Sequence, residues 1–267
     1  MTYIILFLIS IVIILCVLDI IKDKESLKKE SIKYLILSSL VYFLLQTFFT
    51  YVSPSTVEII NFLKEEMLNL PNSEIFFIKG ILIFLITFYI SSIADYLVHR
   101  FMSHSRLFWW THEYHHLTNR VSLYMPGIAF RPYAFIGTVI TTVWATVIFL
   151  SLCSLFNYNN LNTLYLVFIA QTLILIIIHS SYLRDKKFFS KIMRSLYLVS
   201  PEDHLLHHSY NTGFINYGNI SILWDILFKT YKKYSENETY LVGTVEGRDY
   251  VDSVTFGLFN LKKFLKK

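Results

Sequence analysis

The sequence has little charge and almost no cysteine, and each scarcity excludes a class of protein. Charged residues make up only 16 % of the 267 residues, whereas 54 % are hydrophobic and the mean hydropathy is +0.49. A soluble domain of this length would need a larger polar surface. Cys16 and Cys153 lie inside separate apolar runs, so we interpret them as buried hydrophobic residues rather than as a disulfide or a metal pair. The composition therefore predicts a multi-pass membrane protein.

The sequence also lacks the motifs that hold common redox cofactors. It contains neither a G-x-G-x-x-G nucleotide fingerprint nor the His-Pro-Gly-Gly core of a haem domain. The net charge of +5 is modest, and the lysines and arginines fall between apolar runs. We interpret them as determinants of membrane topology and expect no nucleic acid as a partner.

Apolar runs predict an all-α transmembrane bundle of about five spans. They cover residues 3–21, 34–52, 80–98, 132–156 and 164–178. The acid-leaning stretch after the second run predicts a short surface helix over residues 56–70. A cytoplasmic location for the lysine-rich loop 22–33 agrees with the charge of every other loop. That topology predicts an integral membrane protein with a histidine-rich helical cap on the cytoplasmic side.

Histidines are concentrated in two short windows of the chain. The first window contains His99, His104, His112, His115 and His116, the second contains His204, His207 and His208, and His179 stands alone. Ionisable residues at the ends of membrane helices are costly and usually functional. Imidazole suits iron, zinc, copper or nickel, and eight or nine imidazoles exceed the coordination of one ion. The pattern therefore predicts a site for two metal ions.

The spacing of the histidines predicts how they are presented. Two His-x-x-His-His triplets place their three rings within about 100° of one helix face. Ser200 and Pro201 suit the N-cap and the first position of a helix that carries the second triplet. His99 and His104 are about 140° apart on an α-helix, so we expect them to hold the ions from a helix end or from opposite sides. Asp95 is expected to accept the spare ring N–H of His99.

Longer motifs surround these histidines. They read Asp95-Tyr-Leu-Val-His-Arg, Phe108-Trp-Trp-Thr-His-Glu-Tyr-His-His and Ser200-Pro-Glu-Asp-His-Leu-Leu-His-His-Ser. Together with His179 and their order in the chain, they resemble the motifs of the fatty acid hydroxylase and sterol desaturase superfamily of membrane di-iron enzymes. The resemblance predicts a catalytic domain over residues 80–231. Residues 1–79, with two spans, and the basic tail 232–267 lie outside it.

The resemblance implies a membrane-bound, O2-dependent hydroxylase or desaturase of a sterol or fatty acyl lipid. It implies two iron ions, which zinc could replace in the isolated protein, held by His99, His104, His112, His115, His116, His179, His204, His207 and His208. The lipid would enter from the bilayer. Because the chain has no cofactor motif of its own, electrons are expected from a separate cytochrome b5, ferredoxin or reductase.

Two other classes of protein bind metals through histidine. A membrane metal transporter or store would need ionisable residues along its spans, and the apolar runs have almost none near their middles. A zinc hydrolase would need an acid/base group such as Glu113, but one zinc site uses far fewer imidazoles than this chain offers.

Overall fold

In the computed structural model, the described part of the chain contains five long helices, which form the frame of the protein. The structure describes residues 2–29, 32–53, 58–59, 61, 76–213, 215–243 and 249–265. Numbering the long helices in chain order, they are α1 (Thr2–Lys22), α2 (Ile32–Val52), α3 (Phe76–Leu97), α4 (Phe135–Phe156) and α5 (Asn162–Ile177). They coincide with the five apolar runs. The surface helix expected over residues 56–70 falls largely outside the described residues.

Three of the helices are long and apolar enough to cross a membrane. These candidate spans are Ile32–Val52, Phe77–Ser103 and Phe135–Phe156. α5 is apolar but has only 16 residues, which makes it about 24 Å long, shorter than the hydrocarbon core of about 30 Å. Among the described residues there are thus three candidate spans by length and composition, whereas the sequence predicted about five.

The outer surfaces of the long helices are apolar. Leu44 on α2 is 66 % exposed and Ile78 on α3 is 68 % exposed. An apolar surface on this scale is the kind that contacts lipid. Facing inward, Ile83, Phe149 and Leu164 form a buried cluster that joins α3, α4 and α5. The long helices therefore pack through one face and expose the other.

Short helices connect and cap the long ones. They are Lys24–Lys29, Glu113–His116, Pro126–Ala129, Ser181–Arg184, Lys187–Ser195, Pro201–His207, Leu223–Leu227, Tyr250–Val254 and Leu261–Leu265, with a π-helical turn at Val98–Ser103 and a 3-10 turn at Trp109–Thr111. The described part of the chain has no β-strand, only two isolated bridges, Leu198 with Ser221 and Ser209 with Val242. The expected helical architecture is confirmed.

The C-terminal segment folds back onto α2. The hydroxyl of Tyr34 donates to the Asp249 carboxylate at 2.7 Å, and the hydroxyl of Tyr42 donates to the carbonyl oxygen of Tyr250 at 3.0 Å. All these residues are buried. The C-terminal segment therefore packs against an N-terminal helix, although both lie outside the histidine windows.

Candidate metal centre

The first two histidines are presented by a turn of π-helix. α3 ends at Leu97 and continues as Val98–Ser103, where the N–H of His104 donates to the carbonyl of His99 at 3.2 Å. A π-turn brings residues five apart into register. The two Nε2 atoms consequently lie 3.3 Å apart, on the same side. Of the two arrangements that the sequence predicted, the one at a helix end is found, and the one from opposite sides of the metals was wrong because it assumed α-helical geometry.

All nine histidines meet, and their ring nitrogens form two groups. The first group contains His99, His104, His112, His116 and His207, and the second contains His115, His179, His204 and His208. Within each group the candidate ligand atoms all lie within 4.8 Å of one another. The structure thus brings together every histidine that the sequence singled out.

The two His-x-x-His-His triplets divide between the groups in opposite ways. His112 and His116 belong to the first group and His115 to the second, whereas His204 and His208 belong to the second group and His207 to the first. Residues i and i+4 stack along one side of a helix, and residue i+3 is rotated away from them. Each triplet therefore contributes a pair of rings to one group and a single ring to the other.

Backbone carbonyls fix the orientation of four rings. Each accepts a hydrogen bond from an Nδ1 atom: Tyr217 from His99 at 2.5 Å, Gly127 from His115 at 2.9 Å, Leu175 from His179 at 2.6 Å and Ile215 from His207 at 3.0 Å. A carbonyl oxygen can only accept, so the proton of each neutral ring is on Nδ1. The lone pair on Nε2 then points into the group.

The residues present fit a metal ion in each group. Nε2 of His115 lies 3.4 Å from Nε2 of His179, and both atoms carry lone pairs. Such lone pairs repel each other, and a cation between them removes the repulsion. Two nitrogen ligands on opposite sides of one ion are about 4.2 Å apart, close to the size of each group. The donor set is all imidazole, which suits iron, zinc, copper or nickel.

The histidines are in the protonation state that binds metals. Burial, followed by the charge of neighbouring groups, lowers the pKa of His112, His115, His116, His179, His204 and His208 well below the ordinary value. Burial lowers the pKa of His207 to about 4, partly opposed by its hydrogen bond to the Ile215 carbonyl. Metal binding requires neutral imidazole, so no proton must be displaced near neutral pH.

Asp95 supports His99 differently from the direct bond that the sequence predicted. Its carboxylate accepts from the backbone N–H of Asn219 at 3.1 Å and from the Asn219 amide at 3.0 Å. The same amide nitrogen lies 3.2 Å from Nδ1 of His99, but Nδ1 donates its proton to the Tyr217 carbonyl, so both nitrogens are donors and no hydrogen bond joins them. Asp95 is therefore not bonded to His99, and it can position the ring only through the packing of Asn219 against it.

The helix that carries the second triplet begins where the sequence predicted. Ser200 is the N-cap of Pro201–His207, and its hydroxyl oxygen accepts from the N–H of Asp203. Arg194 of the preceding helix binds the carboxylates of Glu202 and Asp203 at 2.6 and 2.8 Å. This ion pair fixes the first turn, from which His204 projects.

α1 holds the loop that follows His179. The buried Asp19 carboxylate accepts from the Ser180 hydroxyl at 2.7 Å and from the N–H groups of Tyr182 and Leu123 at 2.8 and 3.0 Å. Asp23, one turn later, accepts from the Ser181 hydroxyl at 2.9 Å. These two carboxylates therefore help to position His179 from a helix distant in sequence.

A cavity of about 700 Å³ opens beside the histidines. His99, His112, His179 and Arg131 line it beside the two histidine groups, and the rest of its wall combines apolar side chains with several threonines and a glutamine from α1, α4, α5 and the segment before α4. Its volume is within the range of about 300–1,000 Å³ that is usual for small-ligand sites. The cavity can accommodate an apolar chain with one end against the imidazoles.

The protein has helices of membrane length and two adjoining groups of largely buried imidazoles. These features indicate a membrane protein with a candidate site for two metal ions. The family model for fatty acid hydroxylase matches residues 84–230, more than half of the chain, and the chain belongs to that family, within the superfamily that the motifs resemble. The family suggests a membrane lipid oxygenase. The comparisons with curated proteins and with solved structures gave no match.

Sequence reasoning missed three residues that support the site. Asp19 interrupts an apolar run, and an ionisable residue there is a recognised functional signal. Arg131 and Asn219 carry no comparable signal, because only folding brings them to the histidines. Arg131 contacts His179, about 50 residues away in sequence, and Asn219 lies beside His99, about 120 residues away.

Proposed function

We propose that the protein is a membrane-bound, O2-dependent oxidoreductase that hydroxylates or desaturates a sterol or fatty acyl lipid. The observation that carries this proposal is the opening of two adjoining imidazole groups onto a largely apolar cavity. The first group would hold one iron ion and the second group the other. Nine imidazoles exceed the ligands of one zinc hydrolase site, and the oxygenase family favours a redox-active metal such as iron.

Iron bound there would supply the O2 chemistry that breaks an unactivated C–H bond. The protein contributes neutral ligands, their orientation and a dry substrate site. The apolar wall, including Ile136 and Phe168, would bind the lipid chain and exclude water. The hydrogen bonds from Nδ1 to backbone carbonyls would hold the rings as the substrate enters.

Electrons would come from a separate donor. The reaction needs two electrons, and the chain has no nucleotide or haem motif to supply them. Exposed cations such as Lys186 and Lys191 would favour an acidic carrier. A cytochrome b5, a ferredoxin or a reductase fits this requirement.

The membrane arrangement in the proposal has five spans with the metal centre on the cytoplasmic side. α1 and α5 would complete the bundle beside the three candidate spans, and the charge of the loops favours this orientation. Residues 80–231 would form the catalytic domain. The segments before and after them would brace it through contacts such as those of Asp19 and Tyr34.

Reductant-dependent O2 consumption by the purified, iron-loaded protein in lipid tests this function. We expect uptake that depends on added lipid and yields a hydroxylated or desaturated product. His115→Ala should abolish it, because His115 belongs to the smaller group. Arg106→Cys, at an exposed position, is the matched control and should retain uptake.

A stable single zinc with no O2 uptake would contradict the proposal and favour a hydrolase. In that alternative Glu113 would act as the acid/base. Its carboxylate accepts from the Ser253 hydroxyl at 3.1 Å, and it lines a different cavity from the one beside the histidines. This placement favours the oxygenase.

A further inference from the structure

Arg131 has an unusual position for a permanent cation. Of the described residues that line the cavity, it is the one lysine or arginine. Its Nη2 atom lies 2.7 Å from Nε2 of His179, and its Nε atom donates to the Ile128 carbonyl at 3.4 Å. It forms no ion pair within the described ranges. The shortest polar contact of the guanidinium is therefore with the ring of His179.

A bound metal would compete with that contact. The Nδ1 proton of His179 is donated to the Leu175 carbonyl, so Nε2 has a single lone pair. That lone pair can bind a metal or accept a hydrogen bond from Arg131, but it cannot do both. In the metal-loaded protein the guanidinium would lose this acceptor while it remained in the cavity. An unpaired buried charge is costly, so a new acceptor would stabilise the loaded state.

The protein itself supplies little negative charge nearby. Both candidate metal groups consist of neutral imidazoles, so two bound divalent ions would keep their full charge. Asp95 lines the same cavity and interacts electrostatically with Arg131, but it forms no ion pair with the guanidinium, and its carboxylate is already bound to Asn219. Arg194 occupies the carboxylates of Glu202 and Asp203. The missing acceptor must therefore come largely from a ligand.

We propose that the cavity selects lipids that end in an anionic oxygen group, a carboxylate or a phosphate, and that Arg131 binds this group. The inference rests on the proposed lipid oxidation at the same site. The apolar chain would extend from Arg131 along Ile136 and Phe168, between α4 and α5. Because Arg131 contacts His179, the carbons nearest the anionic group would lie closest to the metals, and oxidation would occur near the charged end.

Binding of four ligands with the same chain tests the proposal without any turnover. Oleate, oleyl phosphate, oleyl alcohol and methyl oleate compete with labelled oleate for the iron-loaded protein in detergent. We expect at least one anionic ligand to bind about tenfold or more tightly than the alcohol and the ester, as one charge-assisted contact allows. A preference for oleate indicates a carboxylate, and a preference for oleyl phosphate indicates a phosphate.

Variants connect the preference to Arg131. Arg131→Gln should reduce anion affinity to that of the alcohol, while Arg131→Lys should retain part of the preference because it retains the charge. Arg106→Gln makes the same change at an exposed position outside the cavity and should alter nothing. Equal binding of all four ligands by the wild type would overturn the proposal, even if Arg131→Gln failed to fold. An anion preference that survives in Arg131→Gln would overturn it as well.

Failure of this inference differs from failure of the proposed function. Selective binding of anions with no O2 uptake would support the anion site and contradict the oxygenase. Uptake driven only by neutral lipids, with equal binding of all four ligands, would support the oxygenase and contradict the anion site.

Discussion

At the scale of single residues, the two nitrogens of each oriented imidazole have different roles. Nδ1 of His207 donates to the Ile215 carbonyl, and Nε2 lies 3.2 Å from Nε2 of His104. The ring is therefore held by the backbone on one side and presented to the metal group on the other. Oriented ligands bind a metal more tightly because less freedom is lost on binding.

The division of the triplets predicts that adjacent histidines affect different ions. His208→Ala removes one of four rings from the second group, and His207→Ala removes one of five from the first. We expect His208→Ala to retain about one iron per chain and His207→Ala to lose less, because four rings remain. Metal analysis of the two purified variants measures this difference. Equal losses from the two variants would argue against separate groups.

Acid should destabilise the metal-free protein. Histidine has a pKa of about 6.5 in an unfolded chain, whereas the pKa of His207 is about 4 in the fold and those of six others are also lowered. Between these pH values the unfolded chain binds more protons than the folded one. The free energy of unfolding should therefore be fully present above about pH 6.5 and fall toward pH 4.

Thermal unfolding in detergent at pH 7.5 and pH 5 measures this effect. We expect the metal-free protein to have a lower melting temperature at pH 5. The iron-loaded protein should release its metal over the same pH range. A melting temperature that is unchanged between the two values would show that the histidines are not buried as neutral groups.

At the scale of elements, the α-helices could be predicted from the sequence and the π-helical turn could not. The N-cap at Ser200 and the long helices follow from local sequence signals, and both were predicted correctly. The π-turn at Val98–Ser103 has no such signal, so the angle between His99 and His104 was predicted from α-helical geometry and was wrong, although their place at a helix end was predicted correctly. The donor to Asp95, which is Asn219, and the acceptor for Arg131, which is His179, depend on tertiary contacts and could not be inferred from spacing.

α1 should matter for the site although it lies outside the family match. Asp19→Ala would leave three hydrogen-bond donors around Ser180 without their acceptor. We expect it to lower the free energy of unfolding by about 3 kcal/mol and to weaken metal binding. Asp185→Asn is the control. It removes a carboxylate that is 61 % exposed and paired with Lys22, and it should cost less than about 1 kcal/mol.

Denaturant unfolding and metal analysis of both variants test this role. If Asp19→Ala matches the wild type in both measurements, α1 does not brace the site.

At the scale of the whole molecule, composition indicated a membrane protein and the histidine windows indicated where the chemistry lies. The structure brings the windows together at one place. It does not make α5 long enough to cross a bilayer by itself. The apolar run of residues 164–178 is also shorter than the roughly 20 residues that a span needs, so the sequence prediction of a fifth span overestimated this run. The cavity forms only when α1, α3, α4 and α5 pack together with the segment before α4, which carries Arg131.

The proposed topology predicts which side of the membrane each loop faces. Arg106→Cys lies near the histidines, and Asn160→Cys lies in the turn between α4 and α5. With Cys16 and Cys153 replaced, an impermeant maleimide added outside intact cells should label Asn160→Cys and leave Arg106→Cys unmodified. The reverse pattern would invert the orientation.

The central claim is that two metal ions occupy the two imidazole groups. Anomalous diffraction at the iron edge from crystals of the iron-loaded protein tests it most directly. We expect two peaks, one among His99, His104, His112, His116 and His207 and the other among His115, His179, His204 and His208. A single peak, or peaks outside these groups, would contradict the account.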